Sequence, residues 1–148
     1  MDVSYIGNVE LLREEKTAFM AAGDISSDEV LRCYDWATEM RDSGHCVVSG
    51  FSSKLERDVL HFLLKGRQPI IMVLARRMYK QLPAAWQQAV DNGRLLIIIT
   101  SNSVRQSRYT AQVRNRYVAE LCDKIYFAGI TPTSTLFALQ QEFSHKCI

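Results

Sequence analysis

The chain has 148 residues, 47% of them hydrophobic and 23% charged, with a formal net charge of +2. That composition suits one globular domain with a sizeable core and argues against disorder. It holds no apolar run of eighteen residues, so no membrane span is expected, and its start lacks the basic stretch and apolar run of a signal peptide.

Residues 1–16 read as a lead-in, with 5–7 and 9–12 packed on the edge of a sheet. Residues 17–22 form a short apolar run, the first strand. Ser26-Ser27-Asp28-Glu29 carries a helix start, with Ser26 as cap and Glu29 three residues on. Val30, Leu31, Tyr34, Trp36, Ala37 and Met40 supply that helix's apolar face, and Ser43-Gly44 ends it. Residues 45–49 are β-rich and Gly50 marks a turn. Residues 55–65 read as helix, closed by Gly66. Residues 69–75 are nearly all apolar, as suits a strand covered on both faces. Pro83 starts a helix over 84–92, stopped by Gly93. Residues 95–100 are again a buried strand, and 101–108 a polar loop. A helix over 110–122, a strand over 124–128 and a helix over 134–143 complete the pattern. Five strand–helix units with short turns predict a single α/β domain over 1–148, an open and mainly parallel sheet with helices on both faces. Ligands of such sheets bind outside the carboxyl ends of the strands, which singles out loops 21–27, 49–54, 75–80, 100–109 and 129–134.

The small net charge conceals a segregation. Residues 59–118 hold ten Lys or Arg and one acid, Asp91, for a charge of about +9, whereas residues 1–58 hold twelve acids against six bases. The basic segment ends in Arg105, Arg108, Arg114, Asn115 and Arg116, interleaved with Tyr109 and Tyr117. Fixed cations beside aromatic rings suit an anionic ligand with flat surfaces, a nucleotide or a single-stranded nucleic acid.

Candidate binding residues follow from those loops. The chain contains neither GxGxxG nor GxxxxGK[ST], so no dinucleotide cofactor or P-loop is expected, and no other cofactor is implied. Gly50 permits a tight turn, and backbone N–H groups near Ser52, Ser53 and Lys54 can hold a phosphate; simple helix capping uses the same geometry. Arg76 and Arg77 follow the third strand, where the competing reading is a solvated surface run. Arg114 and Arg116 flank Asn115 on a helix and point about 200° apart. Both cannot face one phosphate: one reaches the ligand, and the other braces a loop or forms an ion pair. No catalytic set stands out. Glu56 and Asp58 are the only acids placed near the site, and Glu56 is the one weak catalytic candidate. His61 reads as half-buried packing. Cys33, Cys46, Cys122 and Cys147 are scattered without CxxC spacing, as expected for buried free thiols in a cytoplasmic protein, and no metal site is predicted.

Taken in order, the motifs resemble the Rossmann-like domain of the DNA-processing protein A (DprA/Smf) family, within a wider group that includes lysine-decarboxylase-like nucleotide hydrolases. Ile6-Gly7-Asn8-Val9-Glu10-Leu11-Leu12 looks like the family's lead-in, and Cys46-Val47-Val48-Ser49-Gly50 like the strand before its second ligand loop. Val113-Arg114-Asn115-Arg116, with Ala119 to Ile125 after it, is similar to the family's Arg-Asn-Arg helix and following strand. Gly129-Ile130-Thr131-Pro132-Thr133-Ser134 occupies the place of its last small-residue loop. The resemblance implies a three-layer Rossmann-like sandwich and a minimal stand-alone domain. It implies binding of single-stranded DNA at a basic pocket that includes Gly50, Arg108, Arg114, Arg116, Gly129, Thr133 and Ser134, and a homodimer. The family's first loop ends in Gly-Ser-Arg; this chain has Ala21-Ala22-Gly23 and so lacks that phosphate-binding arginine. The family's second-loop Gly and Asp fall at Lys54 and Glu56. Three functions are open at this point: a non-enzymatic binder of single-stranded nucleic acid, a sensor or hydrolase of a small nucleotide, and a protein-interaction module.

Overall fold

The structure, a computed structural model, describes residues 2–148. Six strands form one sheet: β1 (Ser4–Gly7), β2 (Lys16–Ala21), β3 (Cys46–Ser49), β4 (Ile70–Leu74), β5 (Leu95–Ile99) and β6 (Lys124–Ala128), in the order β1-β5-β4-β3-β2-β6. The helices are α1 (Ser27–Ser43), α2 (Lys54–Leu64), α3 (Ala84–Asp91), α4 (Arg108–Leu121) and α5 (Phe137–Glu142). Strands β2 to β6 are parallel. The lead-in supplies the exception, because β1 pairs antiparallel with β5, Ser4 opposite Ile99. This is the expected Rossmann-like α/β sandwich.

Every residue of β2, β3, β4 and β5 is buried, which is why their sequences run apolar without alternation. On one face, α1, α2 and α3 set Cys33, Ala37, Val59, Leu63 and Ala89 against Phe19, Val47, Ile70, Met72 and Ile97. On the other face, α4 sets Val118, Ala119 and Cys122 against Ala18, Val48, Ile71, Val73 and Ile98, joined by Leu11, Leu136 and Phe143. Three crossovers step in one direction from β2 to β5. Helix α4 then carries the chain back to β6, on the far side of β2.

Four expectations need adjusting. Helix α4 starts two residues early, because Ser107 and Thr110 form a reciprocal capping box. The last helix is shorter than 134–143: the Ser134 hydroxyl is spent on the Thr131 N–H inside a turn, so helical geometry begins only at Phe137. His61 is exposed on α2 rather than half-buried. Of the thiols, Cys33, Cys46 and Cys122 are buried as expected, whereas Cys147 is exposed. Among the described residues no helix is long and apolar enough to cross a membrane, and no cluster of His, Cys, Asp or Glu is arranged to hold a metal.

Candidate functional site

The loops after β3, β4 and β5 meet above the carboxyl end of the sheet, and Arg114 of α4 reaches in beneath them. Phe51 takes a left-handed conformation (φ 47°), and its N–H donates to Ser49 Oγ at 3.1 Å. Ser53 caps α2, with its hydroxyl accepting from the Glu56 N–H at 3.2 Å. One Glu56 carboxylate oxygen accepts from the Ser52 and Ser53 N–H groups at 2.9 and 3.2 Å, and the other accepts from the Ala21 N–H at 3.0 Å. Glu56 is buried, so its charge is spent tying the end of β2 to the loop after β3. The residue considered for catalysis therefore sits in a structural clamp, outside the lining of the cleft.

Arg114 is only 3% exposed. Its guanidinium donates to the Val73 carbonyl at 3.2 Å and to Ser52 Oγ at 3.1 Å, while Nε donates to Asn115 Oδ1 at 2.8 Å. Gly50 is required by this arrangement, since a Cβ there would run into the guanidinium. Burial lowers the Arg114 pKa, and the field of Glu56 works against that shift. No carboxylate within 4.0 Å pairs with Arg114 among the described residues.

A cleft of about 290 Å³ opens over Arg114. Gly50 and Ser52 line it beside Arg114, together with Arg57, Arg76 and Arg105, and Tyr79 and Trp86 supply aromatic surface. The Arg76 guanidinium lies 4.1 Å from the Tyr79 ring centroid, and the Tyr79 and Trp86 rings meet edge to face at 6.2 Å. Four guanidinium groups and no Asp or Glu line this space. Such a surface takes an anion, and its rings can take a planar group beside it.

Of the residues expected from sequence, the fold brings Gly50, Ser52, Arg76 and Arg114 to this cleft, and Asn115 orients Arg114 from the side. Ser53 and Lys54 lie across the Gly50 turn, along a shallower groove with Gly23 and Ile25, where Lys54 pairs with Asp58 at 3.2 Å. Arg77 is exposed, and its backbone N–H is held by the Ser103 carbonyl. Arg108 is exposed at the first position of α4. Arg116 departs from Arg114 as the 200° offset requires: it forms a two-point ion pair with Glu142 at 2.6 and 2.7 Å. That hydrogen bond raises the Arg116 pKa and lowers that of Glu142. The last loop is not part of the cleft. Gly129 (φ 67°) is covered by the Ile25 side chain, which leaves no room there for a side chain at position 129. Thr133 and Ser134 bond with Thr131 in their own turn.

Sequence reasoning passed over Arg57, Tyr79 and Trp86. Tyr79 falls within the expected loop 75–80 and was legible there. Arg57 and Trp86 lie on helices, and only the packing of α2 and α3 beside the β4 loop reveals their role.

Residues 2–134 match the family described as DNA recombination-mediator protein A. No curated protein matches the chain. Among solved structures it is similar to DNA processing protein A from Helicobacter pylori, a protein described for its single-stranded DNA binding mode, with a TM-score of 0.77 and 19% identity over 98% of this chain and 69% of that one. DNA processing protein A from Streptococcus pneumoniae gives a TM-score of 0.76 and 18% identity over 97% of this chain and 52% of that one. The molybdenum cofactor carrier protein from Chlamydomonas reinhardtii gives 0.57 and 13%, over 90% and 72%. At these identities the likeness establishes the fold.

Proposed function

Since the chain belongs to the DNA recombination-mediator protein A family, we propose that it binds single-stranded DNA through the cleft over Arg114, without catalysis, in DNA processing or recombination. The observation that carries this reading is a buried guanidinium without a carboxylate partner. Burial disfavours the Arg114 charge, and the nearby Glu56 offsets that only in part, because its carboxylate oxygens are taken by three backbone N–H groups and not by the guanidinium. A phosphate entering the cleft supplies an anion in direct contact with the guanidinium, and Arg57, Arg76 and Arg105 line the same space for the neighbouring oxygens. The binding described for the Helicobacter pylori protein supports the same ligand class. Where the family resemblance calls for a first-loop arginine, Gly23 lines the groove beside Lys54 and Asp58. The cationic weight therefore lies on the Arg114 side of the Gly50 turn.

The test is fluorescence anisotropy with a labelled single-stranded oligonucleotide across a salt series. Each phosphate contact contributes about −0.7 to the slope of log affinity against log salt, so four arginines give a slope of roughly −2 to −3. Arg114→Met should weaken binding by more than about tenfold. Unchanged affinity at low salt would show that the strand binds elsewhere.

A small nucleotide is the second reading, favoured by the modest volume of the cleft and its Tyr79–Trp86 surface. A thermal shift with one mononucleotide and none with oligonucleotides selects it. We take the protein to act in the cytoplasm, where its four free thiols persist. The homodimer implied by the family resemblance is part of the same proposal, and light scattering of the purified chain tests it.

A further inference from the structure

The cleft uses only part of the aromatic and basic interleaving at the start of α4. It takes Arg105 and Arg114 and leaves Arg108, Tyr109 and Tyr117. Tyr109 is 73% exposed, the most exposed large side chain among the described hydrophobic and aromatic residues. Arg114, Val118 and Ala119 occupy the inward side of α4. Tyr109, Val113 and Tyr117 recur every fourth residue and form one stripe about 12 Å long, open to solvent at Tyr109 and packed against the core at Tyr117. They border a shallow groove of about 210 Å³. Tyr117 sits beside Tyr5 of β1, and burial together with that neighbour pushes its pKa up to about 12, so the far end of the stripe is packed rather than open.

The charges are asymmetric along this stripe. Neither Arg105 nor Arg108 forms an ion pair among the described residues, and both lie at the Tyr109 end. At the other end Glu120 joins the groove, and Arg116 is neutralised by Glu142. Arg105 also lines the cleft and stands four residues before Tyr109 in the chain. The opposite direction offers less: toward β6 the Ile25 side chain covers Gly129, and the hydroxyls of the last loop bond to one another.

We propose that a nucleic-acid strand longer than the cleft leaves it past Arg105 and crosses the outer side of the first turns of α4, with Arg105 and Arg108 on its phosphates and one base stacked on Tyr109. This rests on the reading of the cleft given above. Base stacking on an exposed ring is tolerant of sequence, so the track adds affinity with length rather than base preference.

The test measures anisotropy for oligothymidylates of six and twenty nucleotides at low salt, with the wild type, Tyr109→Ala and Tyr109→Phe. Tyr109→Ala should weaken binding of the twenty-mer about tenfold and leave the six-mer within twofold, while Tyr109→Phe binds both as the wild type does. An unchanged melting midpoint verifies that the exposed substitution leaves the fold intact. If Tyr109→Ala binds the twenty-mer like the wild type while the six-mer still binds, the track is wrong and the cleft stands. Equal weakening of both lengths also overturns the track, because Tyr109 then belongs to the cleft. A wild type that binds neither length overturns both readings. If light scattering finds a dimer that Tyr109→Ala dissolves with twenty-mer affinity intact, the stripe is an interface between copies and the track is overturned.

Discussion

Arg114 and Gly50 form a pair that neither residue explains alone. The guanidinium lies where a side chain at position 50 would stand, and it is held there by the Val73 carbonyl, Ser52 and Asn115. Gly50→Ala should therefore displace the arginine as well as crowd the turn. We expect a loss of about 1–3 kcal/mol in denaturant unfolding, typical of overpacking, together with weaker oligonucleotide binding. Binding that survives while stability falls would separate the turn from the site. Glu56 shows the converse case of a residue whose type suggested chemistry and whose surroundings give it a structural task. Its two oxygens join three backbone N–H groups, one from the end of β2 and two from the loop after β3.

At the scale of elements, α4 serves both layers of the molecule. Its inward side packs Val118 and Ala119 on the sheet, and it projects Arg114 up into the cleft. Little more than half a turn further round, Arg116 joins it to α5 through Glu142. Both partners of that pair are about half exposed, at 49% and 51%, so the link adds little to stability. Its effect is to withhold a cation from the surface. Glu142→Gln should leave the melting midpoint within about 2 °C and tighten binding of long single strands modestly at low salt. A large fall in the melting midpoint would instead make the pair structural. The lead-in strand β1 matters at this scale too, because it covers the β5 edge and brings Tyr5 to Tyr117.

For the whole molecule, two long-range properties follow from the architecture. One is the polarity of charge: α1 carries Asp28, Glu29, Asp35, Glu39 and Asp42, while the cleft gathers arginines from α2, from α4 and from the loops after β4 and β5. Such a field orients a polyanion toward the carboxyl end of the sheet before contact. The other is alkaline sensitivity. Burial pushes the Cys46 thiol up to about 12 and the Cys122 thiol up to about 11. An unfolded thiol titrates near 8.5. Both folded values are raised, so the contribution to stability is complete below about pH 8.5 and is lost as pH rises toward the folded values. Between pH 7 and pH 10 the two thiols together should remove on the order of 4 kcal/mol from the unfolding free energy. A Cys46→Ala/Cys122→Ala variant should lose less over the same interval, and an equal loss would place the sensitivity elsewhere.

The fold was legible because its information is local and repeated. Continuous apolar runs at 69–75 and 95–100 suit strands covered on both sides, and Ser26, Gly44 and Pro83 punctuate the helices between the strands. Helical geometry also separated Arg114 from Arg116 before any contact was known. The cleft was only partly legible. Gly50, Ser52, Arg76 and Arg114 lie at the carboxyl ends of strands, where topology alone directs attention. Which arginine turns inward depends on the packing of α4 under the Gly50 turn. Whether the last loop joins the site depends on one side chain, Ile25, lying over Gly129. By itself the sequence determined the layers, the parallel sheet and the basic character of one end, because periodicity and charge are properties of the chain. The tertiary structure alone decided that Arg114 is buried without a carboxylate partner, that Glu56 is a clamp and that Tyr109 faces solvent, because each depends on neighbours distant in sequence.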